Sequence, residues 1–341
     1  MNCSADFLAN TKRLLGVPVA YYTMLFLFFL FWLACIISVE SMGKITPDPS
    51  VKPYIPLYKD VSWKDRRADG KLVNIMLAFL IFGLLWFSFF LTASSNYVIM
   101  VTASTFYFSS NRDHYGEGKL GIAFRWAWVH NFGSLAFGSL IITIIFVIRM
   151  ITYYLCKKAE KLAGENPVVR AAVCMAQCFL KCLEEVMEYI NKAAYAFMAV
   201  SGKNFCSSAL NGLLLQFKHG LKFGFANILA SGFIMLGKIG LTVLNVAITY
   251  FFMKSTNTLQ DISSPYASLG IVALITFMLV SVFLGIFDES VIALMTSFCA
   301  DMDIHDGQTV WGPESLHKVL DSIDTGDDDA VKEVASKAAK V

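Results

Sequence analysis

Long apolar runs alternate with shorter polar stretches along this chain, and five of the runs are long enough to cross a bilayer. Residues 17–39, "VPVAYYTMLFLFFLFWLACIISV", hold no charge at all. Residues 72–108 pass from "IMLAFLIFGLLWFSFFL" into the more polar "TASSNYVIMVTASTFYF". The other three runs are 133–154, 224–253 with Lys238 in its middle, and 266–299, which is apolar up to Phe287 and then meets Asp288 and Glu289. Each supplies the roughly 20 apolar residues a transmembrane helix needs. As one helix, 72–108 would reach about 55 Å, so it is predicted to protrude, tilt strongly or break near "TASSN". The first run is longer than a signal-peptide core and lacks a clear small-residue cleavage site.

A different period governs 168–200. There Lys181, Glu184, Glu185, Glu188 and Lys192 follow helical spacing, while Phe179, Leu183, Val186, Met187 and Ile190 take another face. This predicts an amphipathic helix along the cytoplasmic interface, with Glu188 and Lys192 in the favourable i,i+4 order. The run beginning "NFGSLAFGSL" spends its first turns on Gly133, Ser134, Gly138 and Ser139, small residues that let another helix approach closely. Pro47, Pro49, Pro53 and Pro56 favour an extended path through 44–63. Near the end, "PESLHKVLDSI" has the pattern of a short helix, and the residues from "DTGDDD" onward read as a mobile polar end. The expected organisation is all-α: a transmembrane domain over 1–305 with about five spans and one interfacial helix, then a cytoplasmic polar tail over 306–341.

Composition agrees. The 341 residues are 56% hydrophobic and 16% charged, against about 45–50% and about 25% in soluble domains, so the surplus needs lipid to face. A net charge of +2, with no basic run, argues against nucleic acid as a partner. Counted on alternate loops, Lys and Arg total seven in 40–71 and nine in 155–223, against six on the other side. The positive-inside rule then places 40–71, 155–223 and the tail in the cytoplasm and the N-terminus outside. An odd number of spans with an external start suggests a segment missing before Met1.

Chemistry-bearing motifs are sparse. Neither GxSxG, a P-loop nor HExxH occurs, which leaves no nucleophile or base to assign, and the chain reads as a non-enzyme. Cys174, Cys178 and Cys182 recur every four residues without the paired spacing and fourth ligand of a zinc site. They read as small apolar positions or as thiols open to palmitoylation. No metal and no cofactor are expected.

Four stretches, "FGSLAFGSLIITIIFVIRM", "NKAAYAFMAVSGKNFCSSA", "LGKIGL" and "FCADMDIHDG", occur in the order and spacing of the choline transporter-like family, solute carrier family 44. The chain resembles the C-terminal half of that family over roughly 72–307. The resemblance implies ten spans in a full member and movement of choline or related amines such as ethanolamine. Choline's quaternary ammonium binds through aromatic faces and carboxylates. The implied walls are Trp86, Asn96, Tyr97 and Tyr107, with backbone exposed to a cavity at a bend near "TASSN". Several relatives carry an acidic–polar pair where this chain has Ser95 and Asn96.

Three charges need partners at membrane depth. Arg149 is placed to snorkel. Lys238 is expected to pair with Asp288 or Glu289 as a structural or gating ion pair. The function expected is transport of choline-like amines by a partial or truncated transporter; the alternative is a non-transporting subunit that kept half the fold. Expected partners are the lipid bilayer, a choline-like small molecule, and a second membrane chain or missing N-terminal half. The plasma membrane is the first expectation for location and an organelle membrane the second.

Overall fold

The computed structural model describes residues 2–41, 70–111, 114–163, 167–256, 265–313 and 317. The Pro-rich loop 44–63 and the tail beyond 317 lie outside the described residues, as does most of the short helix expected near 313–323. The described residues form helices and connecting turns only. In chain order these are α1 (Asn2–Asn10), a 3-10 turn (Lys12–Leu15), α2 (Gly16–Ser41), α3 (Gly70–Ser109), α4 (Leu120–Arg125), a π turn (Trp126–His130) and α5 (Phe132–Ala163). Then follow α6 (Pro167–Ser201), α7 (Phe205–Lys218), α8 (Gly220–Ser255) and α9 (Pro265–Ile304).

Five helical stretches have the length and apolar content to cross a membrane: Lys12–Ser41, Leu72–Ser109, Phe132–Lys158, Gly220–Ser255 and Tyr266–Ile304. They coincide with the five apolar runs of the sequence. The break expected near "TASSN" is absent, for α3 runs unbroken through it for 40 residues. Hydroxyls before and at the start of that stretch are satisfied within the helix, Ser88 donating to the Leu84 carbonyl and Thr92 to the Ser88 carbonyl. Continuous helical structure leaves no backbone groups free there.

Two compact units divide the chain. One takes Met1–Val19, Ala93–Gly138 and Glu185–Val341, the other Ala20–Thr92 and Ser139–Glu184. In the second unit α2 lies along α3, with the Trp32 indole donating to the Leu80 carbonyl at 2.9 Å and the rings of Phe28 and Phe87 3.9 Å apart. Arg149, expected to snorkel, instead pairs with Glu184 of α6.

The first unit holds the core. Tyr97, Met100, Phe106 and Tyr107 of α3 are buried with Leu294 and Phe298 of α9 and with Ala194, Ala196 and Met198 of α6. Asn96 meets Glu289, Ser104 meets Ser297 and Tyr107 meets Asp301; the numbers rise together, so α3 and α9 run parallel. Along α8 and α9 one number falls as the other rises. Lys218 meets Asp303, Asn245 meets Thr276, and a Cβ on Gly237 would stand 3.1 Å from Leu284, so this pair is antiparallel. Most of residues 191–199 of α6, all but Lys192 and Phe197, are buried in the core, which the interfacial expectation for 168–200 did not foresee. The alanines there let neighbouring backbones approach. Against them rests α7, whose Gly212 lies so near Ala193 that a Cβ would stand 2.6 Å from its carbonyl oxygen.

After α9 the chain folds back over the helix ends. Asp301 Oδ2 accepts from the Tyr107 hydroxyl and from the backbone amides of Val310 and Trp311, each at 3.0 Å. His305 Nδ1 stands 2.9 Å from the other oxygen, out of line for a hydrogen bond. Gly312 lies flat on the Tyr107 ring, 2.9 Å from Cζ where a Cβ would be, and its φ of 95° suits only glycine.

Candidate functional site

Three helices of the first unit bring one lysine to two carboxylates. From α6, Lys192 Nζ lies 2.8 Å from Asp288 Oδ2 and 3.4 Å from Glu289 Oε1, both on α9. From α3, Asn96 Nδ2 donates to the same Glu289 Oε1 at 3.0 Å. The Glu289 side chain is only 7% exposed, and its Oε2 is buried with no hydrogen-bond partner among the described residues. With both carboxylates ionised, this cluster carries one negative charge in excess of its lysine. A buried carboxylate oxygen without a donor is costly, and a cation beside it would relieve both the charge and the desolvation.

Asp288 and Glu289 thus pair with Lys192, where the sequence expectation had Lys238. Gly237 packs against Leu284 in an antiparallel pair, so Lys238 stands level with a residue about five positions before Asp288, roughly 7.5 Å along the axis. Lys238 makes no ion pair among the described residues. Lys192 arrives from α6, a helix that the local pattern assigned to the interface. One signal did mark it: it stands in "NKAAYAF", a run of small residues suited to close packing. The pairing of Lys192 with α9 also leaves Glu188, its expected i,i+4 partner, without an ion pair among the described residues.

The four implied walls do not share one environment. Asn96 is part of the cluster. Tyr97 is fully buried and its hydroxyl accepts from Asn131 Nδ2 at 2.8 Å. Tyr107 is fully buried as well, its hydroxyl committed to Asp301. Trp86 belongs to the second unit, ten residues before Asn96 on α3, and is 37% exposed. Another aromatic lies nearer the cluster: Tyr195, one turn after Lys192, is buried with its hydroxyl unpartnered among the described residues.

An all-helical chain with five membrane-length apolar helices, and charges gathered among three of its helices, is a polytopic integral membrane protein. The family model described as plasma-membrane choline transporter matches residues 1–303. The chain belongs to this choline transporter-like family, a family of transporters. Similar proteins include choline transporter-like 2 of Drosophila melanogaster, 32% identical over 67% of this chain and 28% of its own length. Choline transporter-like protein 4 of Rattus norvegicus is 29% identical over 74% of this chain and 37% of its own. Choline transporter protein 1 of Arabidopsis thaliana is 24% identical over 94% of this chain and 48% of its own. The chain thus spans less than half the length of these relatives.

Proposed function

We propose that this chain is the part of a choline transporter that carries its cation-attracting cluster, and that it takes part in moving choline or related amines across the plasma membrane. The observation that supports this is Lys192 set against Asp288 and Glu289, with one negative charge in excess and Glu289 Oε2 buried without a donor. Choline offers a fixed positive charge to balance the excess and a single hydroxyl proton for the free oxygen. Ethanolamine would add ammonium donors. Lys192 does not repel such a cation outright, because two carboxylates more than neutralise it. Trp86 fits the same reading as an aromatic face met along α3, by cation–π attraction of about 1–2 kcal/mol where water is excluded.

Radiolabelled choline binding to purified protein, alone and joined to the remainder of a full-length member, tests the proposal. Glu289→Gln removes the excess charge while keeping the shape, and should weaken choline binding about tenfold, or about 1.4 kcal/mol. Trp86→Ala should weaken it by a similar factor, and Trp86→Phe by less. Well-folded wild-type protein that ignores millimolar choline in both forms would support the non-transporting subunit instead.

A further inference from the structure

The ends of several helices meet on one face of the first unit. Tyr107, near the end of α3, bonds Asp301, near the end of α9. Lys218 and His219, just before α8, reach Asp303 at 2.7 and 3.1 Å. So α3 ends, α9 ends and α8 begins on the same side, here called the near side. The next span after α3 is α5, and only the short α4 and the π turn come between, so α5 starts on the near side and ends on the far side. Before α8 the chain must cross back. With 14 residues, α7 reaches about 21 Å, short of the roughly 30 Å hydrocarbon core. With 35 residues, α6 reaches about 52 Å.

We infer that α6 is a sixth membrane crossing, with its apolar ridge turned to lipid and its charged face turned to protein partners and the cation route. Hydropathy passes it over because Lys181, Glu184, Glu185, Glu188 and Lys192 fall within about three turns. Ionisable groups at membrane depth persist when they are paired or face an interior, and this is how they are arranged. Glu184 pairs with Arg149, Lys192 with Asp288 and Glu289, and Lys181 and Glu185 also have partners. The exposed ridge is Met175, Phe179 and Val186, side chains that suit acyl chains. Glu188 is exposed one turn before Lys192 and has no ion pair among the described residues. Resting on the transport reading above, this makes Glu188 a carboxylate that the passing cation meets beside the cluster.

The sidedness of three exposed lysines decides the matter. Lys158→Cys, Lys203→Cys and Lys254→Cys are made singly in the full chain, with exposed Cys174, Cys178, Cys182 and Cys206 replaced by serine. Each is probed with a membrane-impermeant maleimide on intact and permeabilised cells, and gel filtration confirms folding. A crossing by α6 puts 158 and 254 on one side and 203 on the other. Positions 158 and 203 together, opposite 254, would return α6 to the interface and overturn the inference. Either comparison that includes position 158 decides it, and Lys157→Cys, at the exposed neighbouring position, takes its place if Lys158→Cys misfolds. Separately, Glu188→Gln should raise the choline concentration for half-maximal uptake at least fivefold while leaving labelling unchanged. Unaltered uptake removes Glu188 from the route. Should wild-type protein take up no choline, the Glu188 assignment falls with the transport reading, while the crossing is still decided by the labelling.

Discussion

Gly138 shows how much one missing side chain can hold. Its carbonyl accepts from Asn191 Nδ2 at 3.1 Å, and a Cβ there would meet the Tyr195 hydroxyl and stand 2.7 Å from the Phe205 ring. The small residues at the start of α5 therefore do bring another helix close at Gly138, whereas Gly133, on the same run, has open space around its Cβ direction. Gly138→Leu should destabilise the fold by about 1–3 kcal/mol through overpacking, read as lower monodisperse yield and a lower melting temperature in detergent. Gly133→Leu should leave both unchanged, and an equal loss at both sites would deny the close approach at Gly138.

Among the elements, α9 carries the most. Its first half is one of the apolar spans, and its second half supplies Asp288 and Glu289 to the cluster and Asp301 to the fold-back segment. Asp301 has 0% side-chain exposure and Tyr107 is fully buried, so the Tyr107 hydroxyl has no water to turn to if Asp301 is removed. Asp301→Ala would strand the Tyr107 hydroxyl and loosen the amides of Val310 and Trp311. Leaving a buried donor unsatisfied costs about 1–3 kcal/mol, so the total loss should be on the order of 3 kcal/mol. Thermal denaturation measures it, and limited proteolysis should cut first near Val310. A variant as stable as wild type would mean that the segment stays docked without this anchor.

For the molecule as a whole, the proposed transport ties ligand binding to stability. A cation that settles by Glu289 in the folded state alone stabilises it by mass action, about 2.7 kcal/mol at a hundred times its dissociation constant. Choline should therefore raise the melting temperature of the purified chain in a concentration-dependent way, while an uncharged isostere of the same size should not. Equal effects from both compounds would point to a site without charge selectivity. Glu289→Gln should abolish the difference between them.

What the sequence determined by itself is what depends on neighbours along the chain. Apolar content summed over about twenty residues located all five apolar spans, and the costly charges Asp288 and Glu289 stood out against theirs. The helical period of 168–200 was plain as well. Only the tertiary structure decided which lysine answers those carboxylates, where the Tyr97 and Tyr107 hydroxyls are spent, and that α3 stays helical through "TASSN". Pairing depends on register between helices far apart in sequence: Lys192 and Glu289 are separated by 97 positions, and no local pattern fixes that register. The direction of a helix is equally non-local. Lysine counts gave one order of sides from the loops alone, whereas the bonds from Tyr107 to Asp301 and from Lys218 to Asp303 bring the ends of α3 and α9 and the start of α8 together, because buried polar groups must find one another.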